Sequence, residues 1–114
     1  MKIELTRFHV KKGKSRKVDR WMKMLKDRLP EVMRTLKREK MYVEVIFREE
    51  RNGEKFLYWF SVQGEGGEPV TTSPYDVDKK HLEFWNECID REFGKEELKP
   101  EVVMIPAFIS RLME

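Results

Sequence analysis

Residues 41–63, MYVEVIFREERNGEKFLYWFSVQ, decide the fold. Two runs rich in aromatic and β-branched residues flank Asn52-Gly53, the pair preferred by a two-residue type I′ hairpin turn. With those two residues as the loop, Arg51 faces Glu54, Phe47 faces Tyr58, Val45 faces Phe60 and Val43 faces Val62. Alternation then sets Met41, Val43, Val45, Phe47, Phe56, Tyr58, Phe60 and Val62 on one side. The other side carries Tyr42, Glu44, Ile46, Arg48, Leu57, Trp59, Ser61 and Gln63. The first face is almost wholly apolar; the second is mixed.

Upstream, KIELTRFHV (2–10) reads as a strand, closed by KKGK. Arg7 and His9 share one face of it, and the pattern leaves open which. After Gly13 the apolar residues Val18, Trp21, Met22, Leu25, Leu29, Val32, Met33 and Leu36 fall within an arc of about 120° on a helix. That stripe predicts a long helix to about Glu39, kinked or divided near Leu29 by Pro30. Downstream, GEGGEPVTTSP (64–74) is a loop, and Ser73-Pro74 suits the N-cap and first turn of a second helix from about Pro74 to Glu92. LKPEVVMIP (98–106) reads as a fourth strand, and AFISRLME as a short helix or tail. The order β-α-β-β-α-β predicts one ferredoxin-like α+β domain over residues 1–114. Its four-stranded antiparallel sheet carries both helices on one face.

The helices can cover only the mixed face of the hairpin. The apolar face then needs another cover, because a patch of this size exceeds what monomers usually expose. A homodimer packed through Met41, Val43, Val45, Phe47, Phe56, Phe60 and Val62 is the expectation. The rival cover is the tail, through Phe108, Ile109, Leu112 and Met113.

On the second helix His81 lies in the middle of the apolar stripe, among Val77, Phe84, Trp85 and Cys88. It should point at the mixed face, where Glu44, Ser61 and Gln63 stand and where buried polar groups need partners. This predicts a small helix–sheet pocket with His81 and Glu44 as acid–base candidates. Tyr42, Trp59 and Trp85 would form walls, Ser61 and Gln63 would orient a ligand, and Asp78 would orient the imidazole or simply favour the helix N-terminus. The competing reading is a core histidine bonded to Glu44 or to a backbone carbonyl, with no ligand at all.

The residues outside this constellation mostly exclude chemistry. Cys88, the single cysteine, reads as a small buried hydrophobe about 10 Å from His81, too far for a dyad or a shared metal shell. No metal-ligand spacing and no cofactor motif is present, and QGEGGEPV lacks the Lys-Ser/Thr of a phosphate loop. Residues 1–40 hold 15 Lys/Arg against 5 Asp/Glu, and residues 41–114 hold 9 against 16. Lys11, Lys12, Lys14, Arg16, Lys17, Arg20 and Lys23 could meet an anionic partner. No aromatic interleaving accompanies them, so nucleic acid is not the expected ligand. No secretory h-region or membrane-length apolar run appears, which predicts a cytoplasmic protein.

Taken together, VKKGKSRKVDRWMKML, TLKREKMYVEVIFRE, YWFSVQGEGG, DKKHLEFWNEC and LKPEVVMIP resemble a family of small bacterial proteins known only as a domain of unknown function. The resemblance spans nearly the whole chain and implies no established activity. In strand order the chain is similar to the dimeric α+β barrel superfamily. That group includes monooxygenases of antibiotic biosynthesis, rhamnose-mutarotase-like isomerases and haem-binding members. The resemblance implies a dimer with pockets between helices and sheet. No motif of those enzymes carries over residue by residue.

Overall fold

The computed structural model describes residues 1–113. Strand β1 (Lys2–His9) leads to helices α1 (Ser15–Asp27) and α2 (Leu29–Glu39), then to strands β2 (Met41–Arg51) and β3 (Glu54–Gln63). Helix α3 (Asp76–Cys88), strand β4 (Lys95–Leu98) and a single helical turn α4 (Ala107–Ser110), continued by a 3-10 turn (Arg111–Met113), follow. The sheet order is β2-β3-β1-β4, antiparallel throughout, as a ferredoxin-like α+β domain requires.

The hairpin forms as its sequence dictates. Asn52 and Gly53 both take positive φ, at 53° and 79°, and Arg51 pairs with Glu54. Val45 faces Phe60 and Phe47 faces Tyr58. The expected helix is divided at Arg28, with Pro30 in the first turn of α2, where its missing N–H costs nothing. Lys40, in the left-handed region at φ 54°, ends α2 and turns the chain into β2.

The register departs from simple alternation at one point. Met41 pairs with Gln63 and Val43 with Val62, so Tyr42 is the extra residue of a β-bulge. The bulge reverses the side on which Met41 stands. Met41 faces the helices and does not belong to the apolar outer face, while Tyr42 packs beside Gly64.

Two further expectations are corrected. Helix α3 stops at Cys88, before the expected Glu92, because Ile89 leaves the helix to form a β-bridge with Val10. The fourth strand is KEEL, not residues 98–106. Continuing past the Leu5–Leu98 pair would set Pro100 opposite Ile3, where it has no N–H to give to the ladder. The apolar run beyond it is left bare, with Val102 70% and Met104 84% exposed.

Val18, Trp21, Leu57, Cys88 and Ile89 form the buried core between α1, α3 and the sheet. On the opposite face of the sheet Phe56 is covered by Arg7, whose guanidinium lies 4.9 Å from the ring, and by His9, itself stacked on Phe93 at 4.3 Å. Arg7 and His9 therefore belong to the outer face. Leu98, Pro100 and the run 102–105 flank Ile3, Leu5, Phe60 and Val62 around a groove of about 320 Å³. Val45 and Phe47 stay open to solvent, Phe47 at 55%. Phe108 and Leu112, of the rival tail cover, are themselves 68% and 80% exposed.

Candidate functional site

Between α2, α3 and the inner face of the sheet lies a cavity of about 420 Å³, the size of many small-molecule sites. Its floor follows from strand register. Glu44, Ser61 and Glu4 form one row across β2, β3 and β1, and Ile46, Trp59 and Thr6 form the next. Neighbours in such a row stand roughly 5 Å apart, so Ser61 sits between two carboxyl groups. Helix α3 supplies Val77, Asp78, His81 and Trp85 from above. Leu29 and Met33 of α2, half exposed, stand at the rim.

The indole of Trp21 donates its Nε1–H to His81 Nδ1 over 2.9 Å. Indole can only donate, so Nδ1 carries no proton and the neutral ring holds its hydrogen on Nε2. Burial pushes the imidazole down to about 4 against the opposing pull of Asp78, so the ring is neutral at physiological pH. Nε2 makes no hydrogen bond to any described residue. His81 thus offers a hydrogen-bond donor, and the expected pairing with Glu44 is not formed. Glu44 is bonded instead by Trp59, whose Nε1–H donates to Oε1 over 3.1 Å. Burial still raises the Glu44 carboxyl, and this bond partly opposes the rise.

Glu39, absent from the sequence prediction, is the most perturbed acid in the cavity. Burial first, then the nearby Glu44 and Asp78, push its carboxyl up to about 7, with Arg38 opposing. Its place at the C-terminus of α2 was the available signal, because a negative charge there opposes the helix dipole. The QGEGG loop holds that end of the helix. Gln63 Nε2 donates to the Glu39 carbonyl over 3.0 Å, and Glu68 N–H donates to the Arg38 carbonyl over 3.1 Å. Gly67 lies so close that a Cβ there would fall 1.9 Å from the Glu39 carbonyl oxygen. Arg38 fixes the rest of the loop through the Pro69 and Thr72 carbonyls.

Seven of the eight residues predicted for the site, His81, Glu44, Trp59, Ser61, Gln63, Asp78 and Trp85, line this one cavity. Tyr42 does not reach it, because the bulge turns it away. Trp21, from the apolar stripe of the first helix, is fully buried and sets the histidine tautomer. Among the described residues no group of three His, Cys, Asp or Glu is arranged to hold a metal ion, and no helix is long and apolar enough to cross a membrane.

Residues 1–111 match the model of the family of unknown function DUF6176. The chain belongs to that family. No curated protein matches the sequence. Among solved structures the chain is similar to an L-rhamnose mutarotase from Formosa agariphila, at 17% identity and a TM-score of 0.51. The match covers 93% of this chain and 99% of the mutarotase. That likeness is one of fold alone.

Proposed function

We propose that this DUF6176 member is a small-molecule enzyme that moves protons on a hydroxyl-rich ligand held between α2, α3 and the sheet. The observation carrying this reading is the convergence of two unlike carboxyl groups and an imidazole N–H on one cavity. Environments that separate two acids assign them different roles. Glu39, poised near neutrality, serves as the general acid. Glu44, fixed by Trp59 through one oxygen, offers the other as base. The His81 Nε2–H steadies negative charge on a ligand oxygen.

The reaction that fits is the opening of a cyclic hemiacetal. Glu44 takes the anomeric hydroxyl proton as Glu39 protonates the ring oxygen. The ring carbon–oxygen bond then breaks to give the open aldehyde. Reversal after rotation closes the other anomer, and no oxidant or cofactor is consumed. A sugar mutarotase among similar folds is consistent with this choice.

Exchange between anomers of a panel of aldoses, L-rhamnose included, is measured by saturation-transfer NMR. Acceleration that disappears in Glu39→Gln and Glu44→Gln supports the reading. Absence of acceleration for every aldose contradicts it.

The protein works as a homodimer in this account, joined through the outer sheet face around Val43, Val45, Phe47 and Phe60. Exposed Val45 and Phe47, together with bare Val102, Val103 and Met104, support the pairing. A nucleic-acid role is less favoured, because Lys17 and Lys23 of the basic helix already pair with Glu87 and Asp27.

A further inference from the structure

The titratable side chains lining the cavity are one-sided. Glu4, Glu39, Glu44 and Asp78 line it, while none of the chain's 24 Lys and Arg residues does. Lys2 pairs with Glu4 at 2.6 Å from the exposed end of β1, and no described ion pair involves the other three carboxyls. His81 adds no compensating charge, because the Trp21 indole holds its Nδ1 unprotonated.

Asp78 turns this acidic cluster into a specific demand. It is only 6% exposed, neither of its oxygens accepts a hydrogen bond from a described residue, and Oδ2 is completely buried. Buried acceptors without donors are rare, because each forfeits its hydration with nothing in return. A ligand carrying N–H donors and a positive charge supplies what Asp78 lacks. Trp59 and Trp85, edge-to-face with centroids 5.2 Å apart, add aromatic surface that also favours a cation.

We propose that the ligand of this cavity carries a protonated amine beside its hydroxyl groups, seated on Asp78, and that anionic ligands are excluded. In chemical terms this is an amino sugar or a similar aminopolyol, not a sugar phosphate or a sugar acid. The inference rests on the cavity being a ligand site, as proposed above, and names the charge class that site selects.

Glucosamine, glucose and glucose 6-phosphate serve as matched probes, titrated into the full chain at pH 6.5. The indole N–H signals of Trp21 and Trp59 report on His81 and Glu44 directly. The expected order is glucosamine about tenfold or more tighter than glucose, a gap of about 1.4 kcal/mol, with no response to glucose 6-phosphate. Asp78→Asn removes the preference, and Asp78→Glu, which keeps the charge, restores part of it. Equal binding of amine and alcohol, binding of the phosphate, or silence of both indoles toward glucosamine overturns the proposal. If neither Asp78 variant folds, the wild-type order decides alone. Glucosamine binding without anomer exchange removes the acid–base reading and leaves this one. Exchange with no preference for the amine does the reverse.

Discussion

Replacing Gly67 with alanine tests whether the QGEGG loop sets the position of Glu39. The new methyl would lie 1.9 Å from the Glu39 carbonyl oxygen, 2.4 Å from its carbonyl carbon and 3.1 Å from its Cα. All three are backbone atoms at the end of a helix, so no side chain can swing aside. Ordinary contact begins near 3.4 Å, and the loop must therefore retreat by about 1.5 Å. That movement breaks the Glu68-to-Arg38 backbone bond and strains the Gln63-to-Glu39 bond. At roughly 0.5–1.5 kcal/mol for each hydrogen bond, the variant loses about 1–3 kcal/mol. Urea denaturation measures the loss, and Gly53→Ala, strained at φ 79° but remote from the site, is the control. The two variants should lose comparable stability, yet only Gly67→Ala should bring the Glu39 carboxyl back toward the usual carboxylate range. A Gly67→Ala protein within 0.5 kcal/mol of wild type, with Glu39 unaltered, would refute the close-approach argument.

Other variants separate the remaining contributions. Trp21→Phe removes the donor to His81 and leaves a gap in the core; it should cost about 2–4 kcal/mol in denaturation and release the imidazole to populate both tautomers in nitrogen-15 spectra. Glu39→Gln should stabilise the fold on the alkaline side. The native carboxyl, near 7, sits above its unfolded value of 4.5, so wild-type stability falls as pH rises between them and the glutamine variant escapes that fall. For this partly buried group the gain at pH 8, discounted for solvent screening, is about 1–2 kcal/mol, read from denaturation at pH 5 and pH 8. Phe47→Asp places a charge on the outer face; light scattering should show a monomer with unchanged circular dichroism, and a dimer that survives would move the interface elsewhere.

The fold was legible where local chemistry and global pattern agreed. Asn52-Gly53 determined the hairpin and the pairing of Val45 with Phe60. Pro30 marked the break between α1 and α2. The legible part fails where local geometry shifts by one residue. A bulge at Tyr42 leaves no trace in hydrophobic alternation, yet it moves Met41 under the helices and carries Tyr42 away from the cavity. The true β4, KEEL, is a short charged edge strand that looks like loop, while the β-rich VVMI run is excluded from the ladder by Pro100.

The site divides in the same way. His81, Glu44 and Asp78 could be placed by helical and strand periodicity, because each stands at a position where an apolar residue was expected. Their partners could not. That Trp21 bonds His81 and Trp59 bonds Glu44 depends on how two helices lie across a twisted sheet. Glu39 was hidden by a different effect, since only the fold of the glycine loop against α2 shows that its carboxyl is buried. The misplaced charge at the helix end was a clue to it.

The proposed chemistry depends on the protonation of Glu39 and His81 in the cavity. Carbon-13 and nitrogen-15 NMR across pH 3–9 can follow every carboxyl and both histidines in one sample. One carboxyl should titrate near 7 and vanish from the Glu39→Gln spectrum, while the His81 ring stays neutral with its hydrogen on Nε2 until about pH 4. Carboxyls that all titrate in the ordinary acidic range, with a His81 ring that takes its proton near 6.5, would contradict it.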